Sequence, residues 1–196
     1  LAGVSFGATT PSYDLEKAID QEYPVEGVTE ESVREVLPRF LGEQEQIAPI
    51  FSAKSVDGVR AYELARKQYR EAHKEKTDVM TDFDHTVAET LNKQIINISG
   101  MELISFFPNG KESGPELSDE GLRPNPRINV VDTSALHLPL AMIRIKCSKG
   151  TYIRALARDL GEALGSGAHL NSLERTKSGG FTVGNCLSVN EVISVL

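Results

Sequence analysis

Tyr152 and Arg154 stand two positions apart in the run Cys147-Ser-Lys-Gly-Thr-Tyr-Ile-Arg154. A guanidinium keeps its charge near neutrality and can grip a carboxylate through two parallel hydrogen bonds, which keeps that acid ionised. A phenol supplies an aromatic face, and its ordinary pKa of about 10 means that a base role needs help from its surroundings. The helix dipole already places positive charge where Arg154 falls, which disfavours a cation there and argues for an anion to bind. Tyr152 taken alone serves equally well as a half-buried strand tyrosine. Lys149 and Gly150 offer a phosphate-reaching ammonium and a point of close backbone approach, or simply a turn with a solvated lysine.

These groups need a strand and a helix to aim them. The stretch ending at Arg154 reads as the end of a strand, on which residues two apart share a face. A helix follows, because Ile153, Leu156, Ala157, Leu160 and Leu164 keep the spacing of a buried stripe while Arg158, Asp159 and Glu162 fall on other faces. Gly165 and Gly167 then supply a stop and a turn. Upstream, Thr29 caps a helix with Val33, Val36, Leu37 and Phe40 on one side, and Pro38 ends or kinks it. Ile47–Phe51 reads as extended. Asp57-Gly58 signals a tight turn that places Ser52, Lys54 and Arg60 around it, before a helix carrying Ala61, Tyr62, Leu64 and Ala65. Ile95–Phe107 has strand character. Leu136, Leu138 and Leu140, then Ile143, Ile145 and Cys147, alternate as half-buried strands do, with a break at Pro139. Phe181 and Val183 suggest a short strand. Ser188 and Glu191 have capping-box spacing ahead of Val189, Val192, Ile193 and Leu196.

The segment from Cys147 through Arg175 resembles the strand-to-helix motif of the TruB-type tRNA pseudouridine synthases. Resemblance recurs in Ile47–Arg66 and in Gly7-Ala-Thr-Thr-Pro-Ser-Tyr-Asp14, in the same order along the chain. It implies an α+β fold, a mixed and largely antiparallel sheet flanked by helices, and the isomerisation of a T-loop uridine to pseudouridine in tRNA. It further implies that Tyr152 contacts the everted base and moves a proton at C5, that Arg154 holds the catalytic carboxylate, and that Leu173 lines the uracil pocket. Asp14 aligns with a family aspartate near the cleft, although it also suits a turn after Pro11-Ser12. Lys149, Gly150 and His169 complete the candidate substrate contacts, with His169 more suited to a structural role. Lys54 stands one position before the family's lysine, and Ala48 replaces a family proline. The family's Gly-x-Leu-Asp-Pro-x-Ala-Thr-Gly block, which carries the nucleophilic aspartate, is not in this sequence. The 196 residues are therefore expected to be the central and C-terminal part of the catalytic domain, inactive alone, with an inserted loop over residues 109–126 and no further small RNA-binding domain. Two other readings keep the resemblance: an RNA-binding homologue without the nucleophile, and a relative guided by small RNAs.

Composition sets bounds on all of this. Hydrophobic residues at 40% and charged residues at 25% are those of an ordinary globular protein. No apolar run approaches a membrane span and no signal-peptide pattern opens the chain, so a cytoplasmic protein is expected, with an organellar one as the alternative. A net charge of -7 opposes a uniformly basic RNA-coating surface. Charge is uneven, however: Arg144, Lys146, Lys149, Arg154, Arg158 and Arg175 cluster while acids crowd positions 14–45. Cys147 and Cys186 make neither a disulfide framework nor a ligand pair and are expected to be buried, and the four histidines are scattered. No metal or organic cofactor is expected.

Overall fold

The computed structural model describes residues 1–49, 55–56, 59–60, 93–110, 131–187 and 191–193. Five strands form the main sheet: β1 (Ala2–Phe6), β4 (Gly42–Gln46), β7 (Gln94–Phe107), β8 (Leu140–Cys147) and β9 (Ala168–Leu173), in the order β4-β7-β8-β1-β9. Short pairs flank it: β2 (Ala8–Thr9) with β3 (Gln21–Glu22), β5 (Ser55–Val56) with β6 (Val59–Arg60), and β10 (Lys177–Ser178) with β11 (Phe181–Thr182). Among the described residues the longer helices are α1 (Glu30–Val36) and α2 (Ile153–Ala163), and residues 191–193 are helical as well. All four ladders of the main sheet are antiparallel, in keeping with the largely antiparallel sheet expected, and an isolated bridge between Asp14 and Leu170 is parallel. The α+β class stands.

The elements follow from local chemistry. Thr29 Oγ1 accepts from the Ser32 backbone N–H while Ser32 Oγ accepts from that of Thr29, closing a capping box on α1. Pro38 converts the next turn to a 3-10 segment over Leu37–Phe40, since it can neither donate nor tolerate the α-helical carbonyl behind it. Leu156, Ala157 and Leu160 of α2 are buried with Val4 and Phe6 of β1, Ile96 and Ile98 of β7, Ile143 of β8 and Val33 and Val36 of α1. Gly161 lets α2 lie directly on the start of β9, because a Cβ there would fall on the backbone of Gly167 and Ala168. Gly165 and Gly167, at φ of 66° and 55°, turn the chain from α2 into β9 as expected.

Ile47–Pro49 joins no strand, and Phe51, Ser52, Lys54 and the 61–65 helix lie outside the described residues, as do residues 111–126 of the expected insertion and Ser188. Other expectations change. Leu136 belongs to a 3-10 turn and Leu138 to a loop, so the strand starts only at Leu140, after Pro139. Val183 sits in a 3-10 turn after β11. Cys147 and Cys186 are exposed rather than buried: Cys147 is the last residue of β8, and the Cys186 thiol donates to the Thr182 carbonyl oxygen. Among the described residues no helix is long and apolar enough to cross a membrane.

Candidate active site

Tyr152 is not a strand residue. The strand ends at Cys147, and Ser148–Thr151 forms a turn in which both the N–H and the hydroxyl of Thr151 donate to the Ser148 carbonyl oxygen. Gly150 takes φ of 89°, a conformation that L side chains resist, and nothing nearer than 4.0 Å would meet a Cβ there. Backbone torsion rather than crowding therefore calls for glycine. Lys149 is exposed on this turn.

Tyr152 becomes the N-cap of α2, with extended backbone and no side-chain cap. A buried glutamine instead holds the backbone of the cap residue itself. Gln46 Oε1 accepts from the Tyr152 N–H at 2.8 Å, and its Nε2 donates to the Tyr152 carbonyl oxygen at 3.0 Å. Gln94, directly opposite Gln46 in the β4–β7 ladder, donates to the Gly150 carbonyl oxygen at 2.7 Å. Two paired glutamines thus fix the loop that delivers Tyr152 and Arg154. Neither was visible from sequence, because Glu43-Gln44-Glu45-Gln46 looks like a solvated run. Gln46→Ala strips both contacts from a residue only 2% exposed and is expected to cost about 2 kcal/mol in urea unfolding. A loss under a few tenths would show that the loop holds without it.

Arg154 lies in the first turn of α2 and meets an acid of this chain. Its Nη1 donates to Asp14 Oδ2 at 2.9 Å and reaches the Ser12 carbonyl oxygen at 3.5 Å. Both side chains are 23% exposed, so the pair is shielded more than surface ion pairs are. Asp14 Oδ1 in turn accepts from Ser12 Oγ at 2.7 Å and from the Glu16 N–H at 3.0 Å. The turn-forming aspartate and the cleft aspartate are one and the same. With donors on both oxygens, Asp14 has its lone pairs engaged and is a poor nucleophile. It suits the task of aiming Arg154.

One turn further along α2, the Arg158 guanidinium packs over the Tyr13 ring, 5.0 Å from its centroid. It also donates twice to Asp159 Oδ1, at 2.8 and 2.6 Å. Burial pushes the Asp159 carboxyl above its ordinary value, against the pull of Arg158. Arg154 and Arg158 therefore spend charge inside the protein, and Arg144 pairs with Glu102 at 2.6 Å. Of the basic cluster, Lys146, Lys149 and Arg175 remain as exposed side chains facing solvent.

Leu173 ends β9 opposite Ala2 and is 52% exposed. It offers an apolar wall at the surface instead of a place in the core. His169 is fully enclosed, with Nδ1 2.9 Å from the Ala8 carbonyl oxygen and no partner for Nε2 among the described residues. Burial pushes its pKa below the ordinary histidine value, against the Ala8 bond, Asp14 and Asp20. The unfolded chain takes up this proton near pH 6.5 while the folded one holds it off. Stability is therefore complete above that pH and falls as pH drops below it, with a slope approaching about 1.4 kcal/mol per pH unit. His169→Gln should lose that component of the slope between pH 7.5 and 5.5; equal slopes in the two proteins would contradict the assignment.

A cavity of about 370 Å³ opens beside Leu15, between Ser5, Leu140 and Asn171 of the sheet and the Val131–Leu138 segment. Tyr152, Arg154 and Leu173 do not line it.

Comparison with known proteins matches residues 1–104 to the model of the TruB family pseudouridylate synthase N-terminal domain, and residues 154–196 to that of the tRNA pseudouridylate synthase B C-terminal domain. The chain is 42% identical over 192 residues to tRNA pseudouridine synthase B of Parabacteroides distasonis, covering 98% of this chain and 61% of that protein. It is 42% identical over 189 residues to the protein of that name from Phocaeicola vulgatus, covering 96% and 60%. With that of Deinococcus radiodurans identity is 34% over 195 residues, covering 98% and 57%. The chain spans about three fifths of the length of the curated relatives it matches.

Proposed function

Because this chain belongs to the TruB family of pseudouridylate synthases, we propose that it forms part of an enzyme that isomerises the T-loop uridine of tRNA to pseudouridine. The observation that carries this reading is the Asp14–Arg154 pair at the start of α2, directly after a Tyr152 pinned by Gln46. The reaction breaks the bond from C1′ of the ribose to N1, turns the base, and joins C1′ to C5, which gives up its proton while N1 gains one, so that the product is an isomer of the substrate. A stacked base cannot turn, so the uridine must be everted into a pocket. Arg154 holds a nucleophilic carboxylate ionised beside the sugar. Tyr152 lies against the base and moves the C5 proton, and Leu173 forms an apolar wall. Lys149 contacts phosphate, and Gly150 lets the RNA backbone come close. His169 supports the site from inside the fold, through Ala8. The nucleophile belongs to a Leu-Asp-Pro block that is not among these 196 residues. The carboxylate and the substrate's own ring suffice for this chemistry, without metal or organic cofactor. Acting on tRNA, the enzyme works in the cytoplasm.

The assay is pseudouridine mapping in an unmodified tRNA transcript incubated with the whole protein. Product at the T-loop uridine is expected, and product only at other sites would overturn the tRNA reading. Tight binding of the transcript with no product would instead support a second reading, an RNA-binding homologue without catalysis.

A further inference from the structure

Tyr13 is a bulky residue at φ of 61°, where glycine or asparagine is at ease and an aromatic side chain is not. Its backbone is docked on both sides: its N–H donates to the Thr10 carbonyl oxygen, and its own carbonyl oxygen accepts from the Leu170 N–H. In an extended segment, neighbouring side chains point to opposite sides. The left-handed turn at Tyr13 lets two successive side chains, Tyr13 and Asp14, both meet α2. They meet arginines spaced i and i+4 on one helical face: Asp14 takes Arg154, and Tyr13 takes Arg158. The Arg158 guanidinium is itself fixed in plane by Asp159, and its Nη1 reaches the Tyr13 hydroxyl at 3.4 Å. Glu162 adds a longer contact at 3.8 Å.

We infer that Tyr13 and Arg158 form a positioning clasp that sets the Thr10–Asp14 turn on α2 and thereby fixes where Asp14 aims Arg154. This deepens the proposed function and rests on it for its catalytic consequence. The clasp touches neither base nor nucleophile. It acts through the Asp14–Arg154 contact, in which Nη1 donates to Oδ2 at 2.9 Å, by limiting how far the turn that carries Asp14 can slide along α2. A ring stacked under a guanidinium resists sideways movement of the turn, which the ion pair alone tolerates.

The test is Tyr13→Gly in the whole protein, assayed on the T-loop transcript. Glycine accepts the left-handed backbone, so melting temperature is expected to hold or rise, while kcat falls about tenfold with KM within about twofold. Tyr13→Phe keeps the stack and should restore kcat to within about twofold of wild type. Tyr13→Asn, which also tolerates this backbone, repeats the measurement should the glycine variant fold poorly. A glycine variant with wild-type kcat would overturn the clasp. A crystal structure of Tyr13→Gly decides independently of activity: Asp14 Oδ2 and Arg154 Nη1 are expected to separate beyond hydrogen-bond range, and an unchanged contact would overturn the inference. A wild-type protein that makes no pseudouridine would refute the proposed function, and the crystal structure would still decide the clasp.

Discussion

Arg154→Lys in the whole protein lowers kcat for pseudouridine formation by about 10²–10³-fold, with KM for the RNA little changed. Lysine keeps the positive charge and can still pair with Asp14, so the fold survives. It lacks the planar fork that allows one side chain to grip two acids in fixed directions, and its ammonium is more strongly hydrated. Asp14 accepts from one nitrogen of Arg154 at 2.9 Å, and the proposed role requires the same guanidinium to hold a second carboxylate. The loss falls on kcat because the guanidinium matters most while the nucleophile's charge is being redistributed. Single-turnover rates on the T-loop transcript measure it. A lysine variant within tenfold of wild type would mean that the fork is not used.

Gly161→Ala destabilises the fold by about 3 kcal/mol, at the upper end of what overpacking costs. The added methyl would fall on the backbone of Gly167 and Ala168, atoms that cannot rotate away as a side chain can. Relief requires α2 to lift from β9, which also carries Arg154 and Arg158 off the Thr10–Asp14 turn. A lower urea midpoint with unchanged slope reports the stability loss. Retained stability would mean that α2 and β9 are packed more loosely than the geometry implies.

The elements legible in the sequence are those whose own pattern suffices. α1 declares itself through Thr29 and an apolar stripe, and α2 through five apolar positions at helical spacing. β7 and most of β8 show alternation because one face is covered. β1 carries no strand pattern although it lies between β8 and β9: Ala2-Gly-Val-Ser-Phe6 is buried along its whole length, so position in the sheet, not pattern, makes it a strand. β4 is a polar edge strand held by β7, and its buried Gln46 is indistinguishable in sequence from its exposed neighbours.

The site divides in the same way. The motif placed Tyr152, Arg154 and Asp14 near one cleft, but not in contact with one another. Arg154 and Asp14 are 140 positions apart, and only the fold joins them. Alternation suggested that Tyr152 extends a strand, yet the Gly150 turn ends the strand first and hands Tyr152 to the helix as its cap. The left-handed backbone of Tyr13 had no sequence signal at all, since aromatic residues rarely adopt it.

The most direct measurement is a crystal structure of the whole protein bound to a T-arm stem-loop RNA. The expected result is an everted uracil against the Tyr152 ring and Leu173, with the Arg154 guanidinium bonded to Asp14 and to a second carboxylate beside the ribose. A uracil seated instead in the cavity between Leu15 and the Val131–Leu138 segment, or an Arg154 held by Asp14 with no second acid near it, would contradict it.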